Sequence, residues 1–69
     1  MTSGFEVTLR EQVEVSQQQL AEAVRSDESA EVHRHGARLV ELLDRARGHA
    51  IDTTGWVDSS LLSTAHAAL

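Results

Sequence analysis

Four histidines are the side chains of this sequence best suited to binding a metal ion or a proton near neutral pH. His33 and His35 are two residues apart, so a helix would turn them toward different sides. Glu31 and His35 are four residues apart and could share one ion, yet a protein zinc site needs three or four protein ligands. The spacing does not bring His49 or His66 to that pair. We therefore expect no metal site and interpret the histidines as half-buried, hydrogen-bonded residues on helix flanks. His35 and His49 border the apolar stripe of a predicted helix and are candidates for a pH response.

The sequence contains no pattern typical of a catalytic site. Serine, histidine and aspartate all occur, but a Gly-x-Ser-x-Gly elbow, a Gly-rich phosphate loop and a His-Glu-x-x-His pattern are absent. The neighbouring carboxylates Glu28 and Glu31 are better explained as favourable charges at the start of a helix. A ligand pocket usually occupies ~300–1,000 Å³, which a short helical chain encloses only at an oligomer interface. We expect no enzymatic activity, no catalytic residues and no cofactor.

Arg34, Arg38 and Arg45 follow one stripe of a predicted helix and are candidate contacts for an anion. Such a stripe could bind nucleic acid, a nucleotide or a phosphoprotein, so a nucleotide or second-messenger sensor is one alternative function. Glu31 and Glu41 fall in the same stripe and partly neutralise it. The more common explanation of such a pattern is a solvated helix face.

The charge balance argues against nucleic acid as a partner. Eleven acids outnumber six arginines, which gives a net charge of -5, and the sequence contains no lysine. Nucleic-acid-binding proteins gain much of their affinity from basic residues. No run of ~18 apolar residues predicts a membrane span, and the first residues lack the basic and apolar regions of a signal peptide. We expect a cytoplasmic protein with no membrane association, and the exclusive use of arginine suggests a bacterial genome rich in G and C.

The length and composition limit the ways in which this chain can be stable. Its 69 residues form one domain at most, and a chain this short buries only about 60% of the surface that it exposes when unfolded. It has no cysteine for disulfides or thiolate zinc sites, and only 3% of its residues are aromatic. The remaining means of stabilisation are aliphatic helix packing and a second copy of the chain.

The spacing of apolar residues predicts three helices, at about residues 6–25, 28–47 and 58–69, with a loop at residues 48–57. The first two helices, joined by a tight turn, would form an antiparallel hairpin.

The second helix is the best-defined element, because its apolar residues recur at a 4-3-4-3 spacing opposite a charged stripe. Ser26 or Asp27 is expected to cap its start, and Gly48 is expected to be the residue just after its end. Gly36 lies inside it on the apolar face, where glycine costs about 0.8–1.0 kcal/mol relative to alanine. Close approach of another helix would compensate for that cost.

The first and third helices have weaker patterns. Ser16 and Gln17 interrupt the apolar stripe of the first helix. The third helix has Asp58 as its expected N-cap and is too short to persist alone in water. It must dock on the hairpin or on a partner, with Trp56 and Val57 as a hydrophobic clasp.

The N-terminal segment fits two local structures. Phe5, Val7 and Leu9 alternate with polar residues, which is typical of a strand, and on a helix Val7 would face solvent. Ser3 and Glu6, in contrast, match the capping box at the start of a helix. We favour the helix.

The alternative places a strand at residues 5–10, ahead of the two main helices. The order strand, helix, turn, helix over residues 5–47 resembles that of ribbon-helix-helix regulators, a class that includes antitoxins. The resemblance implies a dimeric β-ribbon that binds DNA. This sequence departs from that pattern because its strand is not basic and Glu6 would repel phosphate.

The preferred fold is all-α: an antiparallel helical hairpin with a short C-terminal helix, completed by dimerisation into a helical bundle. The expected function is that of a small non-enzymatic regulatory or protein–protein interaction module, which forms a homodimer and occupies a protein surface. The residues expected in the self-association or partner face are Val13, Leu20, Val32, Gly36, Leu39, Leu42, Leu43, Ala46, Trp56, Leu61 and Leu62.

Overall fold

The computed structural model describes residues 3–68, and it consists of three helices: α1, Gly4–Arg25; α2, Ser29–Gly48; and α3, Ser59–Ala67. The start of α1 lies against the end of α2, so the two long helices form an antiparallel hairpin. The predicted all-α fold with a helical hairpin and a short C-terminal helix is confirmed. The predicted end of the third helix at residue 69 lies outside the described residues.

The N-terminal segment is helical, and the strand alternative is wrong: within residues 3–68 no strand forms. Ser3 is the N-cap of α1, and its hydroxyl accepts a hydrogen bond from the backbone N–H of Glu6 at 3.1 Å. Leu9 is 2% exposed whereas Val7 is 45% exposed, as the helical interpretation requires. The cap and the burial of every third or fourth residue outweigh the local alternation of apolar and polar residues.

The turn between α1 and α2 corrects the expected cap of the second helix. Asp27 has a φ of 54° and ends α1 in the left-handed conformation. The backbone N–H of Glu28 donates to the carbonyl of Ala23 at 3.1 Å, and that of Asp27 donates to Val24 at 3.2 Å. This pair of bonds is a Schellman motif, which satisfies the last carbonyls of α1. The N-cap of α2 is therefore Glu28 and not Ser26 or Asp27, and Glu28 makes no side-chain capping bond.

The C-terminal end of α2 corrects a second expectation. Gly48 is the last helical residue, and the left-handed residue is Ala50, with a φ of 57°. The backbone N–H of Ile51 donates to the carbonyl of Ala46 at 2.9 Å, and that of Ala50 donates to Arg47 at 3.0 Å, which forms another Schellman motif. Ile51 packs against the core, so the helix ends one residue later than predicted and its left-handed residue lies two positions later, at Ala50 instead of Gly48.

Ala50→Gly should increase the free energy of unfolding by about 1 kcal/mol, because the left-handed conformation costs residues with a Cβ atom roughly that amount. The measurement is urea denaturation followed by circular dichroism. Ala37→Gly, in the middle of α2, is the matched control and should decrease stability by about 0.5–1 kcal/mol. Destabilisation by both substitutions would contradict the left-handed assignment of Ala50.

The core lies between the three helices. Ser16, expected to interrupt the apolar stripe of α1, is only 5% exposed and occupies a place in that stripe. The buried apolar residues of the core are Leu9, Val13, Leu20, Ala23, Leu39, Leu42, Leu43, Ala46 and Ala65.

The third helix docks on one side of the hairpin, mainly against α2. A Cβ atom added at Gly36 would lie 3.2 Å from the Cα of Ala65, so the predicted close approach at this glycine occurs, and α3 makes it. Trp56 and Val57 pack against the core, as expected of the clasp. The backbone N–H of the N-cap residue of α3 also donates to Oε1 of Gln17 on α1 at 2.7 Å.

Candidate functional site

The residues predicted for self-association lie mostly inside this single chain. Leu20, Leu39 and Leu42 are 0% exposed, because α1, α2 and α3 cover one another. Gly36 is covered by α3. The apolar spacing marks these residues as buried, but their partners belong to the same chain. The other predicted residues are either buried, at Val13, Leu43 and Ala46, or half-buried against the core, at Val32, Trp56, Leu61 and Leu62.

The arginine stripe on α2 is engaged in ion pairs along its own helix. Arg34 pairs with Glu31 at 2.5 Å, and Arg38 and Arg45 both approach Glu41, at 3.4 and 3.6 Å. All of these side chains are substantially exposed, so each pair contributes only about 0.2–0.5 kcal/mol. The arrangement is that of a solvated helix face, in which the arginines hold intrahelical carboxylates.

The histidines lie in different surroundings. His33 donates from Nδ1 to the C-cap carbonyl of α3, and His35 lies 3.2 Å from Glu31. The ring of His49 packs against Phe5 with a centroid separation of 4.6 Å, where the start of α1 meets the end of α2. Among residues 3–68, no three histidine, aspartate, glutamate or cysteine side chains are grouped as a metal site requires.

An open groove runs between α1 and α2 on the side of the hairpin away from α3. Val15 lines this groove. Gln17 is two residues later, on nearly the opposite side of α1, and accepts the hydrogen bond from the N-cap residue of α3. The groove has a volume of about 520 Å³, and the residues that line it are Thr8, Glu11, Gln12, Val15, Ser16, Gln19, Arg38 and Leu42. We call it the hairpin groove.

The hairpin groove has an apolar centre and walls of opposite charge. Leu42 and Ser16 are buried, while Val15 is 52% exposed at the groove's edge. The only charged side chain on the α1 wall is Glu11, and the only one on the α2 wall is Arg38, among the described lining residues. This polarity extends over the helices: α1 carries four acids and two arginines, whereas α2 carries three acids and four arginines.

Sequence reasoning did not identify this groove. Val15 was outside the predicted apolar stripe, and Glu11 had no assigned role. A signal was present in the sequence, since Val15 is an apolar residue beside the stripe on a helix whose other exposed positions are mostly polar. An exposed valine on its own is common, however, and only the fold places it beside a groove.

Two carboxylates outside the groove have lowered pKa values, and both accept hydrogen bonds from residues two or three positions later. The hydroxyl and backbone N–H of Thr54 donate to Asp52, which lowers the pKa of that carboxyl. The hydroxyl of Ser60, and then the backbone N–H groups of Ser60 and Leu61, lower the pKa of Asp58. Asp58 is the N-cap of α3, as predicted, so its ionised form holds the start of the docked helix.

Asp58→Asn should remove the part of the folding stability that depends on the ionised Asp58 carboxylate and therefore on pH. Because the folded-state pKa is lowered, ionised Asp58 stabilises the fold above its unfolded pKa, near 4, and this contribution is lost as the pH falls through the folded value. The Tm difference between the wild type and Asp58→Asn should therefore shrink from pH 7 to pH 3. Asp58→Ala, which removes the cap acceptor altogether, should have the lowest Tm of the three at pH 7. A difference between wild type and Asp58→Asn that stays constant with pH would contradict this role.

Comparison of the chain with protein-family models, with curated protein sequences and with solved structures gives no match. Of the helices within residues 3–68, none combines the length and the apolar character required to cross a membrane.

Proposed function

We propose that this chain is a small cytoplasmic regulatory module that acts by protein–protein contact and not by catalysis, and that it self-associates. The observation that carries the proposal is the one-sided covering of the hairpin. α3 docks on one side, while the hairpin groove leaves the other side of the same helix pair open.

The dimensions of the chain support an interaction module. Its principal extents are 39 × 17 × 17 Å, and a single helix with side chains is already about 10–12 Å across. The protein is thus two helix layers thick, the hairpin and α3, which leaves little interior in which to build a catalytic pocket. A further helix layer from another protein is the natural way to complete the bundle.

The local chemistry supports a binding role over a catalytic one. The arginines of the charged stripe pair with carboxylates of their own helix, and the two carboxylates with lowered pKa accept local hydrogen bonds from hydroxyl and backbone N–H groups. The hairpin groove is a concave surface with one exposed valine and one charged residue on each wall, which suits the binding of another protein surface.

The experiment is sedimentation equilibrium from about 1 μM to 1 mM, a range that spans weak to moderate association. The mass should rise from the 7.5 kDa of one chain toward twice that value. A mass of 7.5 kDa at every concentration would contradict self-association.

A further inference from the structure

We infer that the hairpin groove binds the same groove of a second copy, with the α1 wall of each protomer against the α2 wall of its partner. This inference rests on the proposed function, to which it adds the face, the orientation and the central contacts. The two protomers would be related by a twofold axis parallel to the long helices. The two hairpins would then form a four-helix bundle, with one α3 on each outer side.

The charges of the two walls select a second copy as the occupant. A twofold interface uses the same patch on both protomers, so that patch must be complementary to itself. The hairpin groove meets this condition, because Glu11 lines one wall and Arg38 lines the other, while Glu41, 3.4 Å from Arg38 on its own helix, is not among the lining residues. A uniformly acidic or uniformly basic partner would meet one wall of its own sign.

The same charges select the orientation. With the axis parallel to the helices, each α1 lies over the partner's α2, so Glu11 faces Arg38 of the partner subunit twice. With the axis perpendicular to the helices, α1 would lie over α1 and α2 over α2, so the wall with Glu11 would face another acidic wall and the wall with Arg38 another basic one. Like charges brought together across an interface are unfavourable, so the first arrangement is preferred.

The apolar centre of the groove accommodates this pairing. Val15 is exposed at the edge, while Leu42 and the small side chain of Ser16 lie below it. In the dimer each Val15 would enter the other groove above these two residues, as a knob enters a hole between packed helices. Gln12 and Gln19 would remain at the rim, where polar residues are typical.

The available area is sufficient for a reversible dimer. The face that carries the groove measures at most 39 by 17 Å, or about 660 Å². Complete overlap of two such faces would bury at most about 1,300 Å² in total, which reaches the lower end of the ~1,200–2,000 Å² of a standard interface.

The test is charge reversal at the two walls, with the full chain and sedimentation equilibrium. Glu11→Arg and Arg38→Glu alone should each raise the dimer Kd about tenfold or more, because each places two like-charged pairs in the interface. An equimolar mixture of E11R and R38E should restore the wild-type Kd, because in the mixed dimer both pairs again have opposite charges. Circular dichroism checks that each variant folds, which is expected because both side chains are exposed.

Glu14→Arg and Arg34→Glu are the matched controls, since they make the same charge changes on the same helices at exposed residues that do not line the groove. They should leave Kd within about twofold of wild type. Weakened single variants that the mixture does not restore would overturn the orientation. A wild-type dimer that neither E11R nor R38E weakens would overturn the inference while leaving self-association intact. A wild-type monomer up to 1 mM would instead contradict the proposed self-association, and the inference with it.

Discussion

Leu39→Ala is expected to decrease the free energy of unfolding by about 2–5 kcal/mol. Leu39 is 0% exposed and belongs to the cluster that joins the three helices, so the substitution leaves a cavity that the neighbouring side chains fill only in part. A domain of this length has only about 3–10 kcal/mol of stability in total, at roughly 0.05–0.15 kcal/mol per residue. A large fraction of the variant should therefore be unfolded at 37 °C.

Urea denaturation monitored by the helical signal at 222 nm measures this effect. Val7→Ala is the control, because Val7 lies on α1 with 45% of its surface exposed and should change stability by no more than about 0.5 kcal/mol. Equal denaturation midpoints for Leu39→Ala and Val7→Ala would show that Leu39 is not part of the core.

Gly36→Leu is expected to displace α3 from the hairpin. The Cβ of a residue at this position would lie 3.2 Å from the Cα of Ala65, and this neighbour is backbone, which cannot rotate away. Overpacking of this kind typically costs 1–3 kcal/mol, and the strain falls on the contact that docks α3. A helix of 9 residues does not persist alone in water, so α3 should lose its helical structure once it is displaced.

The fluorescence of Trp56 reports this displacement. Its ring is half-buried just before α3, and the guanidinium of Arg10 lies 5.7 Å from the ring centroid. In Gly36→Leu the emission should shift toward that of solvent-exposed tryptophan, and the helical signal should fall. Gly48→Leu is the matched control, since Gly48 is in the same helix and a Cβ there would contact nothing within 4 Å. If both leucine variants kept the wild-type emission, the close approach of α3 at Gly36 would be wrong.

The helices of this chain could be predicted from local patterns, because helix formation depends on spacing and caps that lie within a few residues. The apolar spacing located all three helices, and Ser3 and Asp58 were identified as N-caps from their residue types. The turns were less predictable. Gly48 suggested the end of α2, yet the helix continues until Ile51 can pack on the core, and Ala50 takes the left-handed conformation.

The candidate site could not be predicted in the same way, because it depends on contacts between residues far apart in the sequence. The spacing predicts that Gln17 only interrupts the apolar stripe, but its side chain accepts a hydrogen bond from the backbone N–H of a residue 41 positions away. The apolar stripe of α2 indicated burial without indicating what covers it. In the fold, α3 of the same chain covers Gly36. The uncovered surface between α1 and α2 is therefore on the opposite side of the hairpin, where Val15 lies.

The contact between Gly36 and Ala65 also has a consequence for the order of folding. α1 and α2 are joined by three residues, whereas α3 is connected through a ten-residue loop, and closing a shorter loop costs less chain entropy. The backbone of Ala65 can pack against Gly36 only after α2 is helical. We therefore expect α3 to dock after the hairpin has formed. α3 is then a separate cooperative unit, whose amide hydrogens exchange with solvent through local opening while the hairpin stays intact.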